Sequence, residues 1–220
     1  MQLMTPDEAN LEWARAIAKE RRTAREGAAK LVAAALAGDG GAFGIHYESV
    51  GQETIGGIEK FFRDVARLEV PLSADVRREF TFQWIQHKSA RGGTRHDLEM
   101  LAALRKLLLP YSGPPVLLYR GASLAEKHHR AFGISWTSDL KIAERFAELP
   151  IARIRHGAGG SAVYETIAPP QAIVGTSLEI GDPYNESEYF VDRRCLQKVS
   201  IIRKFSHLEL KQVEVVEGEI

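Results

Sequence analysis

Three short pieces in the second half of the chain hold the residue types of a reaction centre: Tyr119-Arg120-Gly121, Ser135-Trp136-Thr137 and Glu186-Ser187-Glu188. They bring a permanently charged guanidinium, short hydroxyls that donate hydrogen bonds without adding charge, and two carboxylates one residue apart. Taken singly, each has an ordinary reading. An arginine at a strand end solvates a sheet edge, Ser and Thr begin helices, and glutamates decorate surface loops.

The elements that must position these pieces are legible. Pro114 and Pro115 lead into Val116-Leu117-Leu118-Tyr119, a short apolar run that reads as a buried strand, and Gly133-Ile134-Ser135-Trp136-Thr137 reads as a second. Leu140, Ala143, Phe146 and Ala147 recur at helical spacing behind Ser138 or Asp139 as cap. Further strands are expected at 161–167, 172–174, 188–191, 198–205 and 208–216. The first half reads differently. A long helix or two is expected from Pro6 to Ala37 after Thr5, then a loop over the cluster Gly38, Asp39, Gly40, Gly41 and Gly44. Ile55, Ile58, Phe61, Phe62, Val65 and Leu68 form one helical stripe, and Leu98, Leu101, Leu104 and Leu108 another, between Asp97 as cap and Pro110 as stop. Phe80, Trp84 and Ile85 suggest a helix between them. The expected fold class is α+β: a helical region over 1–110, then a mainly β domain over 111–220.

In order and spacing the three pieces resemble the motifs of the R-S-E class of mono-ADP-ribosyltransferases, over roughly Val116 to Phe205. Tyr119-Arg120-Gly121 looks like the family's first-strand arginine motif. Gly133 to Thr137, with the helix Ala143-Glu144-Arg145-Phe146-Ala147 behind it, looks like the serine motif, although Trp136-Thr137 replaces the family's Thr-Ser. Glu186-Ser187-Glu188 looks like the Glu-x-Glu motif, and Gly181-Asp182-Pro183-Tyr184-Asn185 like the loop that faces the acceptor.

The resemblance implies a cleft between two small sheets, NAD as co-substrate and a macromolecular acceptor, most simply a protein. Cleaving the nicotinamide–ribose bond develops positive charge on the sugar, as in glycoside hydrolysis, and a prearranged carboxylate stabilises it. By resemblance that carboxylate is Glu188, bonding the ribose 2′-hydroxyl, with Ser135 orienting it. Arg120 would grip the NAD phosphates, Gly121 would let the backbone approach the nicotinamide amide, and Thr137 would supply an outer hydroxyl contact to NAD. Glu186, sharing the face of Glu188 if the segment is extended, would handle the acceptor together with Tyr184, and leans toward a guanidinium. Water as acceptor would make the protein a toxin-like NAD glycohydrolase. A silent binding or structural module of a phage or mobile element is the reading from another class, and the presence of all three motif residues argues against it.

Composition narrows the classes. Lys plus Arg (29) balance Asp plus Glu (29), so no net field draws the molecule to nucleic acid or anionic lipid. A single cysteine, Cys195, suits a reducing cytosol and makes neither an internal disulfide nor a multi-Cys zinc site. Leu31 to Ala37, the longest strictly apolar run, is too short for a bilayer. A cytoplasmic protein is expected, while export by a specialised effector system would leave no mark in composition. Gly157-Ala158-Gly159-Gly160 lacks the strand-to-helix setting of a phosphate loop, and adjacent His128 and His129 point apart with no ligand partners. Arg21, Arg22, Arg25 and Lys30 alternate with Glu20 and Glu26 as on a solvated helix. No metal is expected.

Overall fold

The computed structural model of the protein describes residues 5–53, 56–86, 98–149, 160–181 and 184–206. The chain divides into two compact units, Met1–Leu109 and Pro110–Ile220. The first is helical: α1 (Pro6–Ala37), α2 (Gly40–Glu53), α3 (Gly57–Ala66), α4 (Ala74–Gln86) and α5 (Leu98–Leu107). Helix α1 starts at a reciprocal cap, in which Thr5 Oγ1 accepts the Glu8 N–H at 3.3 Å and the Thr5 N–H donates to the Glu8 carboxylate at 2.8 Å. It ends at Gly38 in the left-handed conformation, φ 76°.

The loop expected over Gly38 to Gly44 is only a two-residue break. Asp39 Oδ1 accepts the Ala42 N–H at 2.9 Å and the chain re-enters a helix at Gly40. Gly38 makes the turn, whereas Gly40 and Gly44 serve close packing. A Cβ on Gly40 would lie 3.0 Å from the Asp75 carbonyl oxygen, and one on Gly44 would overlap the Glu79 carboxylate. The approach of α4 selects against side chains there and outweighs the poor helix propensity of glycine. Phe43, Tyr47, Phe61, Phe62, Phe80 and Trp84 are buried together behind this contact, with Phe80 stacked on Trp84 at 5.7 Å between centroids. Ile55 and Asp97 lie outside the described residues. No helix among the described residues is long and apolar enough to cross a membrane.

The second unit is built on a sheet of β1 (Val116–Ser123), β2 (Ser135–Thr137), β3 (Gly160–Ala168), β4 (Ile173–Thr176), β5 (Glu188–Val191) and β6 (Ser200–Ser206), with the short helix α6 (Ala125–His128) and helix α7 (Leu140–Glu148). Neighbours are antiparallel in the order β4-β5-β2-β1-β3-β6. This corrects the expectation of two separate small sheets: the strands form one six-stranded sheet. The reason lies at its seam. Strands β1 and β3 pair from Val116↔Ala168 to Ser123↔Ser161, whereas β1 and β2 share the single pair Tyr119↔Thr137. One bridge joins the halves β4-β5-β2 and β1-β3-β6, and beyond it the ladder does not continue. The strand expected at 208–216 lies outside the described residues.

Alternation assigns the two faces. Leu118, Ala122, Trp136, Tyr164 and Tyr189 bury one face together with Phe132, while Tyr119 and Val163 meet Ala143 and Ala147 of α7 on the other. Helix α7 begins where Asp139 Oδ1 accepts the Lys141 N–H at 2.8 Å, so Asp139 rather than Ser138 is its cap. Gly121 sits directly beneath it. A Cβ there would overlap the Ala143 carbonyl oxygen and the Ala147 amide nitrogen, both of them backbone. Gly121→Ala is therefore expected to lower stability by about 1–3 kcal/mol, the usual range for overpacking, in chemical denaturation of the second unit. A change below about 0.5 kcal/mol would show that α7 is not held this tightly.

Candidate active site

The three pieces singled out in the sequence meet at the seam of the sheet. Thr137 pairs with Tyr119 on one side and with Glu188 on the other, so Ser135, Thr137 and Glu188 share one face by alternation. Ser135 Oγ hydrogen-bonds Glu188 Oε1. Glu188 is buried, 4% exposed, and its backbone is clamped from β4 and the residue after it. Thr176 Oγ1 donates to its carbonyl at 2.9 Å, the Ser177 N–H at 2.9 Å, and its own N–H donates to Ser177 Oγ at 3.0 Å. The polar pair Thr176-Ser177 thus fixes the first residue of β5 in rotation and register.

Arg120 lies on the opposite face of β1, next to Tyr164 across the ladder. Its guanidinium forks onto Glu126 of α6, Nε to Oε2 and Nη2 to Oε1, each at 2.8 Å, and Nη1 donates to the Ser135 carbonyl at 2.6 Å. The arginine side chain thereby supplies a donor to a carbonyl at the point where the β1–β2 ladder stops. Gly133 must lack a side chain here, since a Cβ would overlap Arg120 Nη2, and its N–H donates to Glu126 Oε2 at 3.1 Å. Burial acts to lower the Arg120 pKa, but the charge and hydrogen bonds of Glu126, with the charge of Glu188 behind them, hold it above its ordinary value. Tyr164, whose hydroxyl donates to the Ser123 carbonyl at 2.8 Å, is pushed up to about 12 by burial and then by Glu126. The guanidinium therefore stays charged although it is largely buried.

Several of these residues also have work within the fold. Three of the five N–H groups of Arg120 are committed within the protein, one of them to the Ser135 carbonyl. Gly121 is required by α7. Thr137 Oγ1 donates to the Glu186 carbonyl at 2.6 Å and accepts the Asp139 N–H at 3.0 Å, which occupies it with the backbone of the Glu-x-Glu turn.

Glu186 does not continue strand β5. Asn185 and Ser187 on either side of it have φ of 51° and 46°, so the segment turns through left-handed residues and the alternation that would have paired Glu186 with Glu188 is broken. The turn is held by the Thr137 hydroxyl and by the Ser138 N–H, which donates to the Ser187 carbonyl at 3.3 Å. The Glu186 side chain reaches α7, where its Oε1 lies 3.6 Å from Arg145 Nη2. Tyr184 is 46% exposed at the far side of the turn, while Asp182 and Pro183 lie outside the described residues.

Glu126, Thr176 and Ser177 were not legible as site residues. Glu126 sits six residues after Arg120 and Ser177 eleven before Glu188, separations that no helix or strand period marks. Cys195 is half-buried and makes no disulfide, and no group of three or more His, Cys, Asp and Glu among the described residues is placed to hold a metal ion. His128 ends α6 and His129 caps it with backbone bonds, which leaves both as parts of a turn. Comparison with family models, curated proteins and solved structures gives no match for this chain, so the geometry of the seam carries the functional argument.

Proposed function

We propose that the second unit is the catalytic domain of a mono-ADP-ribosyltransferase, transferring ADP-ribose from NAD to a protein side chain with release of nicotinamide. The observation that carries this reading is the hydrogen bond from Ser135 to the buried Glu188 carboxylate at the seam of the sheet, with Arg120 beneath it. It joins the members of an arginine, serine and Glu-x-Glu series in that chain order. A carboxylate held this way is prearranged to bond a ribose 2′-hydroxyl and to stabilise the positive charge that develops as the nicotinamide bond breaks. Arg120 contributes at one remove, by fixing the carbonyl of the serine that orients Glu188.

Glu186, in the turn just before the strand and beside an exposed arginine, suits the positioning and deprotonation of an acceptor. A guanidinium is the acceptor its charge fits best. The test is to incubate the purified protein with adenylate-labelled NAD and a protein extract, following nicotinamide release and protein labelling together. Both are expected. In Glu186→Gln, labelling of a guanidinium acceptor should fall by about 10²–10⁴-fold while nicotinamide release to water persists, because water attack bypasses the acceptor base. Absence of nicotinamide release from the wild-type protein would end the proposal, and release without any labelled protein would replace transfer by hydrolysis.

A further inference from the structure

Four arginines of the second unit make ion pairs among the described residues, and their partners separate them. Arg120 is buried on Glu126, Arg194 lies 2.6 Å from Asp192, and Arg203 lies 2.8 Å from Glu144. None of those carboxylates belongs to the proposed reaction. Arg145 differs in its partner. Its side chain is exposed, as those of Arg203 and Arg194 are, but it lies 3.6 Å from Glu186, the carboxylate read above as the acceptor's base. Asp139 caps α7 and the Ala143–Ala147 face locks it over Gly121, so the base of the Arg145 side chain is anchored. Thr137 anchors the Glu186 backbone from the other side.

We infer that Arg145 is itself an acceptor: the protein ADP-ribosylates its own Arg145 guanidinium, an inference that rests on the transferase reading. The bond between ribose C1′ and the nicotinamide nitrogen breaks, and its electron pair leaves with neutral nicotinamide. A guanidinium Nη of Arg145 forms the new bond to C1′ and passes a proton to the Glu186 carboxylate, from which it reaches water. The products are nicotinamide, a proton and ADP-ribosyl-Arg145, and no further reactant is needed. Because base and nucleophile are already paired within one chain, no encounter with a second protein is required, and the reaction runs ahead of transfer to dilute acceptors.

The experiment uses the full chain with NAD alone. Nicotinamide release is timed, and the modified protein is mapped by fragmentation that preserves the ADP-ribosyl bond. The expected result is one ADP-ribosyl group on Arg145, formed at a rate per molecule that does not change when the protein is diluted, and its loss in Arg145→Lys, where no guanidinium remains. Label per nicotinamide released is the quantity compared, so a variant with altered turnover is still scored. Nicotinamide release with Arg145 unlabelled, or a labelling rate that falls in proportion to dilution, overturns the inference and leaves the transferase reading standing. No nicotinamide release at all overturns both.

Discussion

Glu188→Gln is expected to abolish nicotinamide release whether the acceptor is protein or water, with a rate loss of about 10²–10³-fold, while the protein still folds and binds NAD. The charge on the carboxylate is the only thing removed. Glutamine Oε1 still accepts the Ser135 hydrogen, and the bonds from Thr176 and Ser177 go to the backbone of residue 188, which the substitution leaves alone. The ribose cation forms before the acceptor matters, so both reactions must fall together. This contrasts with Glu186→Gln, where only transfer is lost. Nicotinamide quantified by chromatography, with calorimetric titration of NAD as the binding control, decides the matter. A loss under about tenfold would mean that the carboxylate stabilises the transition state by less than about 1.4 kcal/mol, too little for its assigned role.

The second large effect is on stability. Glu126→Ala leaves the Arg120 guanidinium without its fork in a site where the two side chains are only 17% and 18% exposed. Removing one member of a buried pair typically destabilises by about 3–5 kcal/mol, and the lower end is expected here because Glu188 still faces the same cation. The loss should concentrate at the seam, where Arg120 holds the Ser135 carbonyl, and hydrogen exchange of β1 and β2 amides is the measurement that sees it. The double substitution Arg120→Met, Glu126→Leu should recover part of the stability, since an apolar pair has no desolvated charge to satisfy but leaves the Gly133 N–H and the Ser135 carbonyl without these partners. It should not recover turnover, because the Ser135 carbonyl then has no donor. Turnover restored along with stability would show that Arg120 only packs the seam, and a single-variant effect under about 1 kcal/mol would show that the fork is slack.

Much of the layout was written locally. The stripe Ile58, Phe61, Phe62, Val65 predicts a buried helix face because its period belongs to the helix itself, and those residues are buried in α3. Val116 to Tyr119 and Glu188 to Val191 read as strands for the same reason, and both are strands. The three motif pieces were visible because each is a short run whose members lie within one turn or strand end. The change from helices to sheet was visible too, as a shift of composition after Pro115.

What went unread depends on partners distant in sequence. Gly40 and Gly44 looked like a loop because glycine ordinarily disfavours helix, and only the approach of α4, thirty-odd residues on, reverses that preference. That Gly121 packs under α7 and that Thr137 bonds the Glu186 carbonyl went unread for the same reason. Glu186 and Glu188 sit one residue apart in sequence, and alternation would have set them on one face; Thr137 and Ser138 instead hold the intervening backbone in a left-handed turn. Glu126 carried no signal at all. The sequence by itself determined which residue types are available for chemistry and the helix or strand each stands on, because propensity and periodicity are local. Only the tertiary structure decided that Arg120 supports Ser135, that the Glu188 carboxylate meets Ser135 and that Glu186 meets Arg145, because burial and the pairing of charges are set by chain segments that meet only on folding.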